Sequence, residues 1–273
     1  MCRLVGWIGA QSRTLLDVLG ADALARFTDL SRVHGHGWGI VSRAENGELR
    51  SHRSTKAAHA DPEFATVAAN WSAASALVHL RWATPGFGLS LQDTHPFLAD
   101  DWAMVHNGAI SPSSAVGALL KPESARTPLG STDSERFFLA VRDEIGADEP
   151  TVASFGAAIE TVSERGVAAG LRASSLNSMF LSPAGLFVLN WHDPAQVPPI
   201  DSDAPNTPPY YDLRHRFDDG THVVVSSGFV DHADTFDLLP QASTLHLRGD
   251  GSVADGVVRP VAALCPVLGA DAA

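Results

Sequence analysis

Cysteine is nearly absent from this chain: Cys2 and Cys265 are the only two in 273 residues. Two thiols cannot build a disulfide framework or a cysteine-rich zinc site, and their scarcity points to a reducing, cytoplasmic compartment. Basic side chains are also few, 19 Lys and Arg against 31 Asp and Glu, for a net charge of −12. A surface of that sign argues against a nucleic-acid backbone or an anionic membrane as partner, because both attract basic groups. It says little about a small substrate. No run of 18 apolar residues occurs, so no membrane-spanning helix is expected. Residues 4–10 are apolar, but they lead directly into "QSRT", unlike a secretory signal, although "ADALA" at 21–25 faintly resembles a cleavage site. Repeats, low-complexity tracts and a phosphate-binding glycine loop of the usual spacing are missing too.

What is present is ordinary for a globular protein with a sizeable core: 45% hydrophobic and 18% charged residues. The 23 glycines and 17 prolines imply many turns, hence strands with helices rather than a helix bundle. "CRLVGWIG" reads as a buried strand, followed by a helix over 13–29. "HGWGIVSR" and "ELRSHRS" read as strands joined at Asn46-Gly47, a strong hairpin signal. In "DPEFATVAANW" Asp61 caps a helix with proline at its first position and Phe64, Val67 and Ala68 on one face. "ALVHLRWAT" and "WAMVHNGAI" are further strands, and 111–130 is loop or short helix. "STDSERFFLAVRDEI" opens like a capping box with Ser131 or Thr132 as cap. Residues 150–170 read as a helix, "SLNSMFLSP" and "GLFVLNWH" as a hairpin, 194–220 as a long proline-rich loop, and "THVVVSSGF" and "STLHLRG" as late strands. Residues 2–262 are expected to form one domain, with 263–273 as a tail.

Cys2 stands immediately behind the initiator methionine. Methionine processing tolerates a small second residue, and it would leave a thiol and a free α-amine on one residue. That amine titrates at about 7.7–8.0, so near neutrality it can take the thiol proton. The plain alternative is an inert strand cysteine. Arg81, in "HLRWATPG", ends an apolar strand and can clamp a carboxylate through two parallel hydrogen bonds, or pair with any of the acidic residues. Asn107-Gly108 offers a side-chain amide beside an unhindered N–H, the two donors of an oxyanion hole; it is also the commonest tight-turn dipeptide. Asp133 opens a helix, where the dipole favours a carboxylate, and could instead hold a substrate ammonium. "HGHGWG" at 34–39 lacks a second matched ligand pair for metal, and its glycines suit a close backbone approach.

In order, Cys2, Arg81-Trp82-Ala83-Thr84, His95-Pro96-Phe97, His106-Asn107-Gly108 and Thr132-Asp133-Ser134-Glu135 resemble the class II glutamine amidotransferases, members of the N-terminal-nucleophile hydrolases. The resemblance covers residues 2–138 in sharp motifs. It implies an α+β fold, a four-layer αββα sandwich of two mainly antiparallel sheets between helical layers. It also implies Cys2 as nucleophile with its α-amine as base, and Asn107 and Gly108 as oxyanion hole. Arg81, with Thr84 nearby, would hold the α-carboxylate of a γ-glutamyl group and Asp133 its α-ammonium, with Trp82 and His106 supporting. No metal and no cofactor are called for. The chain departs from the family at His36, where relatives carry an acidic or amide residue, and at Pro85, where synthase-fused relatives have histidine. With no synthase domain following, the expectation is a standalone hydrolase of a γ-glutamyl amide, similar to the γ-glutamyl hydrolase branch of ergothioneine biosynthesis. A glutaminase subunit feeding a separate synthase partner is the second reading. A non-catalytic γ-glutamyl-binding protein is the third, and a metal binder using the 12 histidines has least support.

Overall fold

The computed structural model describes residues 2–257, apart from 84–87, 123, 125, 147, 148, 195–209 and 231–234. The tail at 263–273, Cys265 and Thr84 lie outside the described residues. In chain order, β1 (Arg3–Arg13) leads into α1 (Leu15–Leu19) and α2 (Ala21–Asp29), then β2 (Trp38–Arg43), β3 (Leu49–Ser54), α3 (Pro62–Asn70) and β4 (Ala73–Leu80). Next come β5 (Phe97–Ala99), β6 (Trp102–Asn107), β7 (Ile110–Ser111), α4 (Asp133–Ile145), α5 (Val152–Ala168) and β8 (Arg172–Ala173). The chain closes with β9 (Asn177–Ser182), β10 (Gly185–Asn190), β11 (Leu213–Asp218), β12 (Thr221–Ser226), β13 (Asp237–Leu238), β14 (Ser243–Leu247) and β15 (Val253–Val257).

These strands make two large antiparallel sheets, ordered β13-β11-β12-β1-β4-β2-β3 and β15-β14-β10-β9-β6-β5, and a small β7–β8 ladder. The strand alternation builds the layers. In β1, Leu4 and Ile8 face the opposite sheet and meet Val105, Met179, Leu181 and Val188, while Val5 and Trp7 face the helices with Leu15, Phe27 and Phe64. In β6, Val105 faces the sheet gap and Met104 faces the α4–α5 layer with Phe137, Phe155 and Phe180. A strand buried on both faces is therefore nearly continuous in hydrophobicity, as "RLVGWIG" is. Each fully buried Leu or Phe stabilises this sandwich by roughly 1.5–3 kcal/mol before entropy is counted. The architecture is the expected αββα sandwich.

Two expectations need correction. The helix expected over 13–29 is two helices, broken at Gly20, whose φ of 79° is left-handed and whose backbone closes α1 and opens α2. The loop expected over 194–220 contains β11, which pairs with β12 along its whole length. Its charged sequence, "LRHRFD", hides the period-2 pattern because it lies near the sheet edge with only Leu213 fully buried.

Candidate active site

The alternation that layers the sheets also gathers the sequence-predicted residues. Leu4 and His79 are register partners on β1 and β4, so Cys2 and Arg81, one alternation further out, lie on the same side of the sheet. On β6, Asn107 continues the gap-facing series of Ala103 and Val105. All three residues meet at the open end of the inter-sheet space, and all are at least nine-tenths buried.

The Cys2 backbone nitrogen donates to Asn107 Oδ1 at 2.8 Å. The other half of that amide, Asn107 Nδ2, is buried without a partner among the described residues. Leaving a buried donor unmade costs about 1–3 kcal/mol, and such an atom marks a place prepared for an acceptor. Trp82 N–H donates to Cys2 Sγ at 3.5 Å, and the thiol reaches Trp82 O at 3.8 Å. Burial, the largest influence, pushes the Cys2 thiol above its ordinary range, while the N-terminal charge, then the Trp82 N–H, Arg81 and least of all Arg3 pull it back.

One cavity is lined by Cys2, Arg81, Trp82, His106, Gly108 and Asp133, and also by Asp93, His95, Thr132 and Ser134. Arg81 Nη2 donates to Gly88 O at 2.9 Å, and Nη1 is buried without a partner among the described residues. Asp133 is the first residue of α4; its carboxylate accepts from Ile110 N (2.6 Å) and Ser134 N (2.9 Å). The carboxylate thus sits where the helix dipole favours it, and it lines the cavity. His106 faces the other way from Asn107, toward the start of α4: Nδ1 accepts from Ser134 Oγ at 2.9 Å and Nε2 donates to Ser175 O at 3.1 Å. That assignment uses both ring nitrogens. Burial lowers its pKa against the opposing pull of Asp133 and Ser175, so the ring is a neutral brace.

Gly108 is glycine for a steric reason. Its φ is not left-handed, so turn geometry does not demand glycine. A Cβ there would collide with Ser175 O and lie 2.7 Å from His106 Nε2. Glycine is required because residues 174–175 clamp the segment from behind, with Ser174 N on Ala109 O (2.9 Å) and Ala109 N on Ser174 Oγ (3.1 Å). Likewise His36, the departure noted in the sequence, accepts from Ala83 N through Nδ1 at 3.0 Å and fixes the loop carrying Trp82. Among the described residues no cluster of three or more His, Cys, Asp or Glu side chains is arranged to hold a metal, and no helix is long and apolar enough to cross a membrane.

The sequence reasoning did not give Asp93, His79 or Ser134 a role. Asp93 accepts from Ser131 N at 2.6 Å and Ser90 Oγ at 2.7 Å, tying the Arg81 loop to the start of α4. Its carboxyl sits below the usual range: these bonds and Arg81 outweigh burial, the largest influence, which acts upward. His79 and His95 stack at 4.0 Å behind the cavity. The "THP" and "SER" contexts were the available signals.

The family model for class II glutamine amidotransferases matches residues 1–187. The chain belongs to that family. Among curated proteins, this amidotransferase is 30% identical over 118 residues to the gamma-glutamyl-hercynylcysteine sulfoxide hydrolase of Mycolicibacterium smegmatis, covering 40% of this chain and 52% of the relative. The Mycobacterium tuberculosis protein of the same name is 31% identical over 117 residues, covering 40% and 50%. The chain thus spans about half the length of the curated relatives it matches. Among solved structures, a glutamine aminotransferase class-II domain protein from Silicibacter pomeroyi superposes with a TM-score of 0.63 at 20% identity, covering 95% of this chain and all of that one. The allosteric regulatory enzyme of purine biosynthesis superposes at 0.55 and 15% identity, covering 94% of this chain and 49% of that one. At these identities the two structures establish the shared fold.

Proposed function

We propose that this amidotransferase-family protein is a cysteine amidohydrolase that cleaves a γ-glutamyl amide through a γ-glutamyl thioester on Cys2, once Met1 has been removed. The observation that carries the reading is the divided role of Asn107: Oδ1 receives the Cys2 nitrogen at 2.8 Å, while Nδ2 is buried and unpartnered among the described residues. In the processed chain the same nitrogen is a primary amine. Held on Asn107 Oδ1, it takes the thiol proton, and Sγ attacks the γ-carbonyl carbon. The new C–S bond pushes the carbonyl electrons onto oxygen, and Asn107 Nδ2 and Gly108 N–H receive that oxyanion. Collapse breaks the C–N bond; the departing amine takes the proton from the Cys2 ammonium. Water, deprotonated by the same amine, then attacks the thioester, releasing glutamate and restoring the thiol.

The unpartnered Arg81 Nη1 supplies a donor for the α-carboxylate, and the Asp133 carboxylate faces the α-ammonium. Thr84 beside Arg81 is part of this reading through the family pattern. Opposite charges at the two ends of one amino-acid head orient it, so a γ-carbonyl is presented to Sγ. The head groups are buried whereas Trp82 is 39% exposed, so the leaving amine departs past the indole. The curated relatives' names make a γ-glutamyl amide of a larger amine the first class to assay. A second reading, a glutaminase subunit serving a synthase, draws on the exposed Val33, Leu89, Leu91 and Leu129 in segments neighbouring the site.

Intact mass before and after incubation with a diazo-ketone analogue of glutamine tests the proposal. The expected result is a protein lacking methionine that gains one adduct, blocked by glutamine and absent in Cys2→Ala. Retained methionine without an adduct would move the reading to a non-catalytic binder. Efficient turnover of γ-glutamyl amides by Cys2→Ala would end it.

A further inference from the structure

Arg3 follows the nucleophile directly and is 4% exposed. Its Nη1 donates to the Cys2 carbonyl at 3.1 Å, its Nε has no partner among the described residues, and its guanidinium lies 4.2 Å over the Tyr210 ring. No carboxylate pairs with it among the described residues, and an uncompensated buried charge is costly. Gly228, at a left-handed φ of 99°, lies alongside it. Strand alternation puts Arg3 on the face of β1 opposite Cys2, with Val5 and Trp7, and it does not line the substrate cavity. Its contacts are the Cys2 carbonyl and the Tyr210 ring, and its route to the site is through Cys2.

We propose that Arg3 is a positioning residue for the nucleophile: it pins the Cys2 carbonyl from behind and places a positive charge there that favours the neutral amine and the thiolate. The inference rests on the reading of the Cys2 amine as base. Cation repulsion disfavours protonation of a neighbouring amine, and cation attraction favours a thiolate, so both effects have the same sign for catalysis. The Cys2 thiol is already pulled down by Arg3 against the larger upward push of burial. The other titratable or charged groups facing Cys2 are Arg81 from the loop after β4, Tyr210 and Tyr211 ahead of β11, and, across the cavity, Asp93, His95, His106 and Asp133. Burial raises both tyrosines above their ordinary range, so they remain neutral. Replacing Arg3 leaves all the others in place.

The test is the pH dependence of kcat/KM for γ-glutamyl amide hydrolysis in the wild-type chain, Arg3→Met, Arg3→Lys and Tyr210→Leu, with the unfolding midpoint of each measured alongside. Removing the charge in Arg3→Met is expected to move the acid limb upward by about 0.5–1 pH unit, and Arg3→Lys to return it most of the way. Tyr210→Leu keeps the charge but removes the ring beneath it, and is expected to move the limb upward by a smaller amount. It decides the matter should Arg3→Met fail to fold. A uniform fall in kcat/KM with the limb unmoved, in either charge-removing or ring-removing variant, overturns the proposal. Diazo-ketone labelling separates the two levels: an unmoved limb in a protein that labels at Cys2 overturns the role of Arg3 alone, whereas failure to label overturns the reading beneath it.

Discussion

Gly108 has no room for a side chain, and that single constraint separates two kinds of glycine in this protein. Gly108→Ala is expected to drive the chain away from Ser175 O and His106, costing about 1–3 kcal/mol of stability and at least tenfold in kcat/KM, since the same shift displaces Asn107. Gly117 has nothing within 4 Å of a Cβ, so Gly117→Ala is expected to stay within about 0.5 kcal/mol of wild type. Chemical denaturation of both variants checks the pair; equal effects would refute the close-approach account. Asn107→Asp keeps the side chain's shape but removes the Nδ2 donor, and steady-state kinetics are expected to show kcat lower by about 10²–10³. At this scale the sequence was only half legible. "NG" spells a tight turn and a pair of donors in the same letters; the reason for glycine here is the clamp at 174–175, which arrives from more than sixty residues away.

Helix α4 positions Asp133 and braces His106, so its first turn matters more than its length. Thr132 caps it by accepting from Glu135 N at 3.2 Å. The second half of the expected capping box is absent. Glu135 instead turns outward and accepts from Leu129 N and Gly130 N, both at 2.8 Å, which moors the incoming loop. Glu135→Gln replaces one acceptor with an amide that cannot receive an N–H. It is expected to destabilise the protein by about 1–3 kcal/mol and to raise KM more than it lowers kcat, because it loosens the loop beside Asp133. Thermal melts and Michaelis constants report the two effects; an unchanged melting midpoint would contradict the mooring. The acidic first turn was readable as a helix start, because caps are local. Where Glu135 would reach was not, because its partners depend on how residues 129–130 return to the helix. The same distinction explains why α3, with Asp61 and Pro62 at its start, was read to its correct place, whereas the charged, half-exposed strand β11 was missed.

Across the whole molecule, histidine sets the response to acid. His79, His95 and His106 are fully buried; burial pushes all three below the ordinary imidazole range, the first two far below it. A base whose folded pKa is depressed takes its proton more readily in the unfolded chain. Unfolding therefore takes up protons below about pH 6.5, and stability falls as pH drops, by roughly 1.4 kcal/mol per pH unit for each such histidine. Urea denaturation at pH 7.5, 6.5 and 5.5 is expected to show a steep loss toward the acid side, and a flat profile would refute it. The two-sheet, four-layer arrangement was legible only through the family that the motifs resemble, whereas single strands such as β1 could be read from their nearly continuous apolar runs; the strand order was not legible, because β1 takes partners from both halves of the chain. That placement reaches into synthesis. Val5 lies opposite Val78 on one side and Val225 on the other. The ribosome makes β1 before both of its neighbours, the second of which emerges only after more than two hundred further residues, and contacts so distant in sequence form slowly. Cys2 in a nascent chain thus lacks its finished setting until β12 has been made, and a fragment truncated before β12 would leave one edge of β1 unpaired.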